Sequence, residues 1–473
     1  MRSFRLKLST IAFLIAGWAI STPLIPTASA MPNFARKYSL GCSSCHAVVP
    51  RLNEFGWKFR AAGYRMPDEI GQKQPQFNLG DYIAGRMNFS IAQTSATKAA
   101  PGSPTVNNLS EQFTGASLYP IFGALTKNIS SEMELGFKIA SPTNNGTNKL
   151  TFPVSVSTAS VGYYSGNEDA WFLGRIGIIN ILQGYGGSDR GWSGSPLMNT
   201  GYPISIPAYE ANDNKPIPGY TGLTGSNMGI DLGYVYKEAT IHAEILSGYA
   251  YDATDNPYAA LGGGALKTVG AGAGANAGQA PSANTFDYMF WGNYILTEDG
   301  GGISAALYLG QADLPTNATV TKSAPIDSSY WTNKFKRYAV YASYPIVKFL
   351  LMGGYEGGTD DSWTLGTNPD GKFTNGPVIN SHGYFGELDY PVTDLIGVGV
   401  RYDAVTPDGS QSSMDNIHVV TGYCDYNFGD GLQLTGTYTT KRTNTPASNG
   451  SGGVEELGTA KNSGFTLGIS WIQ

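Results

Sequence analysis

Two cysteines three positions apart, Cys42 and Cys45, are followed directly by His46. Thiols at this spacing can add to the two vinyl groups of one haem, and the adjacent imidazole can bind the haem iron. The sequence therefore predicts one covalent haem c, attached at Cys42 and Cys45, with His46 as the proximal iron ligand. The alternative is a disulfide or redox pair followed by a chance histidine. No second Cys-x-x-Cys pair is present to complete a zinc site.

Residues 1–30 have the features of a secretory signal peptide. Three basic residues precede the apolar run 11–20, and a small-residue cleavage site follows at 28–30. The mature chain is expected to start near Met31 outside the cytoplasm, where attachment of c-type haem is completed. Removal of the signal takes the formal charge from −6 to about −9, which argues against a nucleic-acid partner.

The segment 31–74 is helical in pattern. Leu52, Phe55 and Phe59 share one helical face, and the spacing predicts a helix that begins at Pro50 and ends at Gly63. Domains of about 40 residues seldom enclose a core without help. We therefore expect the remainder of the chain to cover the haem.

From residue 75 the period of the apolar residues changes to two. Ile396, Val398 and Val400, for example, alternate with Gly397 and Gly399. Sixteen strands are predicted at 79–92, 116–126, 130–141, 153–164, 169–180, 228–237, 239–251, 285–297, 301–312, 334–344, 346–356, 381–390, 394–404, 416–427, 431–441 and 462–472. The second contains Pro120, which removes a ladder donor, so we expect a bulge there.

The links between these strands alternate between long and short, with tight turns near Asn128 and Gly166. An outer-membrane barrel has this asymmetry because one rim carries periplasmic turns and the other carries extracellular loops. The 29 Tyr and 8 Trp residues suit interfacial girdles. The predicted fold is an all-β transmembrane barrel of about 16 antiparallel strands, preceded by a short α-helical segment that plugs the lumen. A soluble β-sandwich is the alternative.

The residues Phe34–Tyr38, Gly41–His46, Leu52–Arg60 and Ala62–Tyr64, ahead of this strand pattern, resemble the fused monohaem cytochrome–porins of bacterial outer membranes. The resemblance is specific over residues 31–66. It implies a signal peptide at 1–30, a monohaem cytochrome c-like segment at 31–74 and a porin-like barrel at 75–473. It also implies that the protein oxidises extracellular Fe(II), as an iron oxidase, and passes electrons to a periplasmic cytochrome or another carrier.

Several features leave alternatives open. The sixth iron ligand could be Met66, His242 or His418, and His242 is predicted to share the lumen face with Glu244 because it alternates with Ile241 and Ile245. Outward electron transfer to extracellular acceptors would use the same parts in reverse. A solute porin with a structural or sensing haem is the third possibility. The pairs Glu387 with Asp389 and Arg401 with Asp403 are interpreted as ordinary charged lining rather than as catalytic groups.

Overall fold

The computed structural model describes residues 32–48, 51–72, 79–97, 105–137, 154–180, 226–247, 249–250, 286–315, 330–361, 365–367, 373–375, 378–393, 395–407, 416–429, 431–448 and 454–472. The predicted signal peptide lies outside the described residues. Residues 32–48 and 51–72 are called the N-terminal segment below.

The helices are α1 Pro32–Tyr38, α2 Cys42–Cys45 and α3 Glu54–Ala61, with 3-10 turns at Pro67–Glu69 and Leu79–Asp81. The strands are β1 His46–Val48, β2 Arg51–Leu52, β3 Ala84–Thr97, β4 Thr105–Tyr119, β5 Phe122–Ala124, β6 Ile129–Phe137, β7 Val154–Gly166, β8 Ala170–Asn180, β9 Ser226–Tyr236, β10 Ala239–Ser247, β11 Tyr249–Ala250, β12 Phe286–Ile295, β13 Gly302–Pro315, β14 Tyr330–Ile346, β15 Phe349–Asp360, β16 Leu365–Thr367, β17 Phe373–Asn375, β18 Ile379–Pro391, β19 Ile396–Pro407, β20 Asn416–Gly429, β21 Leu432–Ser448 and β22 Val454–Ile472.

The main helix of the N-terminal segment is shorter than predicted. It begins at Glu54 rather than Pro50 because the side-chain oxygen of Asn53 accepts a hydrogen bond from the Gly56 N–H (2.9 Å), which is the usual N-cap contact. Pro50 itself lies outside the described residues, and the preceding β2 pairs with β1 instead of continuing the helix.

The predicted end of the helix at Gly63 is confirmed. The Gly63 N–H donates to the carbonyl of Arg60 (3.0 Å) and the Tyr64 N–H donates to the carbonyl of Phe59 (2.9 Å). Gly63 has a φ of 71°, in the left-handed region that favours glycine. Together these features form a Schellman motif, and the Phe59 and Tyr64 rings pack beside each other.

In the described part of the chain, β3 to β15 and β18 to β22 form one closed wall with sixteen antiparallel positions. β4 and β5 share one position, and the two-residue β11 adds only a short parallel pairing with the end of β13. The wall closes between its two ends, where β22 pairs with β3 from Ile472↔Arg86 to Lys461↔Thr97. The short strands β16 and β17 form a separate hairpin. Closure leaves no strand edge with unpaired backbone groups, which is a requirement inside a lipid bilayer.

The predicted strands correspond one to one with these sixteen positions, with differences near the start of the wall. Residues 79–81 form a 3-10 turn, so the first wall strand begins at Ala84, and β3 and β4 extend well into the link that was expected to be long. The bulge expected at Pro120 is confirmed, because residues 119–121 stand opposite only Met133 and Glu134 on β6.

The two faces of the wall differ in chemistry. On β12, Phe286, Tyr288 and Phe290 are exposed, whereas Asp287 and Met289 between them are 0% exposed. The same alternation places charged side chains of several strands on the buried inner face and apolar ones on the exposed outer face. This is the pattern of a barrel whose outside meets lipid.

Among the described residues, no helix is long and apolar enough to cross a membrane.

This assignment of faces predicts the effect of an added charge. Val420 on β20 is 46% exposed on the outer face. Val420→Arg is therefore expected to destabilise the barrel, and such a charge costs about 2–4 kcal/mol at the bilayer midplane and less towards either rim. Thr437 stands opposite the buried Tyr423 across the β20–β21 ladder, so Thr437→Arg projects inward and should cost less. Urea unfolding in lipid vesicles, followed by tryptophan fluorescence, measures both. Equal losses would show that the faces are assigned wrongly.

Candidate functional site: the Cys-x-x-Cys-His turn and its support

The predicted haem-attachment residues lie on one continuous turn. Cys42–Cys45 form the single helical turn α2, and His46 follows as the first residue of β1, opposite Leu52 of β2. The backbone of this turn is held by Asn53. The Asn53 N–H donates to the Cys45 carbonyl (3.0 Å), and the Asn53 side-chain amide donates to the Ser44 carbonyl (3.1 Å). One residue therefore both caps α3 and fixes the motif.

Gly56 allows α3 to approach the motif closely. A Cβ atom at this position would lie 2.2 Å from the Cys45 carbonyl oxygen, which leaves no space for any other residue. Cys45 packs beside Leu52, Trp57 and Ile295, and both Cys45 and His46 remain partly exposed.

These features fit a covalent haem. A thiol and an imidazole stand at adjacent positions, both accessible, on a backbone that is fixed from behind by Asn53 and Gly56. The buried side chains of Leu52 and Trp57 give Cys45 an apolar surrounding.

The N-terminal segment contacts the short turns at one rim of the barrel. The Glu54 N–H donates to the carbonyl of Glu298, in the turn between β12 and β13 (3.1 Å). The Arg65 guanidinium donates to the carbonyl of Lys127, in the turn between β5 and β6 (2.6 Å). The motif is therefore attached at the rim that has the short turns, which is the periplasmic rim of an outer-membrane barrel.

Aromatic side chains join the segment to the inner face of the wall. The rings of Phe34 and Tyr64 stack at 5.1 Å between centroids, and Tyr64 also lies 4.7 Å from Phe122 of β5. Three strand positions further along the wall, on β8, the Trp171 indole N–H donates to the carbonyl of Ala61, at the end of α3 (3.1 Å). A segment of this size cannot bury enough apolar surface within itself to form a stable core. Packing its aromatic rings against the wall buries additional apolar surface.

A buried ion pair makes the strongest polar connection. Arg51, on β2, binds the carboxylates of Glu387 and Asp389 on β18, the latter at 3.3 Å. Arg401 binds the other oxygen of Glu387 at 2.7 Å, and the Tyr423 hydroxyl donates to Glu387 at 2.8 Å. Burial lowers the pKa of the Arg51 guanidinium, but the charges of Glu387 and Asp389 outweigh this and hold that pKa above its usual value.

Sequence analysis missed this role of Glu387 and Asp389. Carboxylates two positions apart on a strand were interpreted as ordinary lining, and nothing in the sequence paired them with a residue 336 positions away. The signal that could have found them is Arg51 itself, a cation inside a short segment that must be enclosed.

The three candidates for a sixth iron ligand have different surroundings. Met66 packs against the cluster of Phe34, Phe59 and Tyr64, apart from the residues around Cys45. His242 is buried on the inner face as predicted, with its Nδ1 2.8 Å from Asp231 Oδ1. The interpretation of His418 as a possible iron ligand inside the lumen is wrong. It follows the outward alternation of β20, and its ring nitrogen lies 2.9 Å from the hydroxyl of exposed Tyr402.

The described residues contain no group of three or more His, Cys, Asp or Glu side chains placed to hold a metal ion.

No protein-family model matches the chain, and no curated protein matches it. Among solved structures, it is similar to OmpT, an outer membrane protein of Vibrio cholerae, at 11% identity over 83% of this chain and 97% of that one, with a TM-score of 0.45. It is also similar to an anion-selective porin from Comamonas acidovorans, at 13% identity over 83% and 98% of the two chains, with a TM-score of 0.47. The fold assignment itself depends on the strand pairing described above.

The closed ladder, the apolar outer face and the alternation of short turns with long links define a β-barrel of the bacterial outer membrane. Its distinguishing feature is the N-terminal segment, which carries a Cys-x-x-Cys-His turn against the inner face near the short turns.

The ion pair of Arg51 generates a testable expectation. Arg51→Met leaves the buried Asp389 without its cation, and breaking a buried pair in this way costs about 3–5 kcal/mol. The N-terminal segment should therefore open more often, and native-state proteolysis within it should accelerate at least about 100-fold. Arg36→Gln is the control, because exposed Arg36 donates only to the backbone carbonyls of Gly80 and Ile83. Similar cleavage rates in both variants would contradict the role of Arg51.

Proposed function

We propose that the protein transfers electrons across the outer membrane, and that it does so by oxidising extracellular Fe(II) and passing the electrons through a c-type haem to a periplasmic carrier. The observation that carries the proposal is the Cys42–Cys45 turn with His46, fixed by Asn53 and Gly56 and attached to the rim with the short turns. This rim faces the compartment in which a soluble carrier is available.

In this proposal, Cys42 and Cys45 hold the haem through thioether bonds and His46 is the proximal iron ligand. When bound, the haem supplies a centre that accepts one electron and gives it up again, which matches the loss of one electron as aqueous Fe(II) becomes Fe(III). The residues of the chain orient this centre. Asn53 fixes the turn, and Leu52 and Trp57 present apolar surface beside it.

The inner wall near the segment favours this function over an open solute channel. Glu387, Asp389 and Arg401 are each at most 2% exposed, and Arg51 of the segment is bonded among them. Side chains that line a wide water-filled pore remain accessible to solvent. The N-terminal segment covers this part of the described inner wall, which supports the proposal that the segment plugs the lumen and that the barrel transfers electrons rather than solutes.

Covalent haem is the first property to test. Cys42→Ala or Cys45→Ala should abolish or sharply reduce haem staining on a denaturing gel, because each substitution removes a thioether bond and the segment is too small to retain haem by packing alone. Cys424→Ala is the matched control and should stain fully, since Cys424 lies exposed on β20. Full staining of either motif variant would remove the basis of the proposal.

The direction of electron flow is tested by anaerobic mixing. Aqueous Fe(II) added to the oxidised protein is expected to reduce the haem, and the change is followed at the haem absorption bands. Higher ionic strength should slow the reduction, because it screens the attraction between Fe(II) and a chain of net negative charge. Failure of Fe(II) to reduce the haem, with prompt oxidation of the reduced protein by Fe(III) chelates, would instead assign outward electron transfer.

A further inference from the structure

The inner face of the barrel wall has two sectors that differ in exposure to solvent. On the wall strands from β7 to β20, most of the described inward side chains are buried, and Met289, Tyr308 and Glu356 are each at most 1% exposed. We call this part the packed sector. The open sector consists of the inward residues of β21 from 433 to 439, of β22 from 462 to 470 and of β3 from 88 to 96, and none of these residues is buried.

The strand register shows that the open sector faces the lumen. Thr437 stands opposite Tyr423, a buried inward residue of β20, and opposite Thr466 on its other side. Thr466 in turn stands opposite Ala92 of β3. Tyr438, which follows Thr437, is 55% exposed on the outer face. Because side chains alternate along a strand, the exposed surface of Thr437, Thr466 and Ala92 belongs to the lumen side.

The open sector is polar but carries no charge. The described inward residues of its three spans are glutamine, asparagine, threonine, serine, glycine and alanine. On β21, for example, Gln433 is followed on the same face by Thr435, Thr437 and Thr439. Hydroxyl and amide groups donate and accept hydrogen bonds, so they suit water and the hydration shell of an ion. Without a fixed charge in the lining, an ion is not held tightly and can leave again.

The open sector extends towards the end of the barrel that has the long links. Thr94 on β3 and Asn462 on β22 are exposed, and both lie on the parts of their strands that lead towards these links. In an outer-membrane barrel this end is extracellular. The polar, accessible part of the inner face is therefore directed to the outside of the cell.

The other end of the open sector meets the N-terminal segment. The Ser470 hydroxyl donates to the side-chain oxygen of Asn88 at 2.8 Å, and both residues are partly exposed. Ala84, at the start of β3, is only 1% exposed and packs in one cluster with Phe34 of α1 and Tyr119 of β4. The exposure of the inward face of β3 therefore ends where the N-terminal segment packs against it.

We infer that the open sector lines a water-filled passage, which admits hydrated cations of the size of aqueous Fe(II) from the extracellular side as far as the N-terminal segment. The inference rests on the proposed function, in which Fe(II) is the substrate and the segment carries the haem. An uncharged oxygen-rich lining lets the ion keep its hydration shell on the way. The packed sector of the described wall has its inward side chains buried against one another, so the passage follows one side of the barrel only.

Thiol labelling tests the passage without reference to haem. Ser90→Cys and Thr437→Cys, each combined with Cys424→Ala, should react with a methanethiosulfonate reagent that bears a trimethylammonium group, added to the purified protein in lipid vesicles. Thr158→Cys is the matched control, because Thr158 is also an inward residue but is only 3% exposed in the packed sector. It should react at least about tenfold more slowly, since its thiol becomes accessible only by local opening. The Cys424→Ala protein gives the background.

The labelling rates separate the inference from the proposed function. Rates for Ser90→Cys and Thr437→Cys as slow as that of Thr158→Cys would overturn the passage, whether or not the protein stains for haem. Labelling of both by an anionic sulfonate reagent and not by the cationic reagent would overturn it as well. Fast cationic labelling in a protein without haem staining would support the passage and contradict the proposed function.

A substitution that narrows the passage tests its role in iron oxidation. Ala92→Trp should slow reduction of the haem by aqueous Fe(II) at least about tenfold, because the indole fills space in the lumen beside β3. Ala305→Trp is the matched control on the exposed outer face of β13 and should keep the wild-type rate. A reduced soluble c-type cytochrome, which is too large to enter the barrel, should reduce the haem of both variants at the wild-type rate. Full haem staining of Ala92→Trp with an unchanged Fe(II) rate would overturn the inference, and the labelling rates decide if this variant fails to assemble.

Discussion

The pairing of β22 with β3 is the constraint on which the rest of this structure depends. Hydrocarbon offers no partner to a backbone N–H or carbonyl group, so a strand wall in a bilayer must close on itself. Closure at sixteen positions creates an interior that is wide enough to need filling. Aromatic and charged side chains of the N-terminal segment meet the inner face of this wall.

The interior differs from a hydrophobic core because it holds many acidic and basic side chains away from solvent. Each of these groups is costly to bury unless a partner of opposite charge is close. Arg51 and Arg401 share Glu387, and Arg175 pairs with Asp231. Such pairs contribute little net stability compared with apolar packing, but they penalise any other placement of the segment. Of these pairs, the one that Arg51 forms with Glu387 joins the N-terminal segment to the wall and therefore favours one position of the segment.

That position connects the architecture to the proposed chemistry. The Cys-x-x-Cys-His turn is supported by one N-cap residue and one glycine, which leave Cys45 and His46 accessible. The same helix, α3, contributes Trp57, which packs beside Cys45 and also lines a small cavity between the helix and the wall.

The amino-acid sequence by itself determined the sixteen strands, their inward and outward faces, the bulge at Pro120 and the end of α3 at Gly63, because each follows from local periodicity or backbone geometry. The Cys-x-x-Cys-His motif could also be recognised in the sequence, since its residues are close together in the chain. That it binds haem stays a prediction. Only the tertiary structure decided that Arg51 meets Glu387 and that Trp171 meets the end of α3. These contacts join residues far apart in the chain, and wall curvature and side-chain volume, which no local pattern records, determine which of them meet.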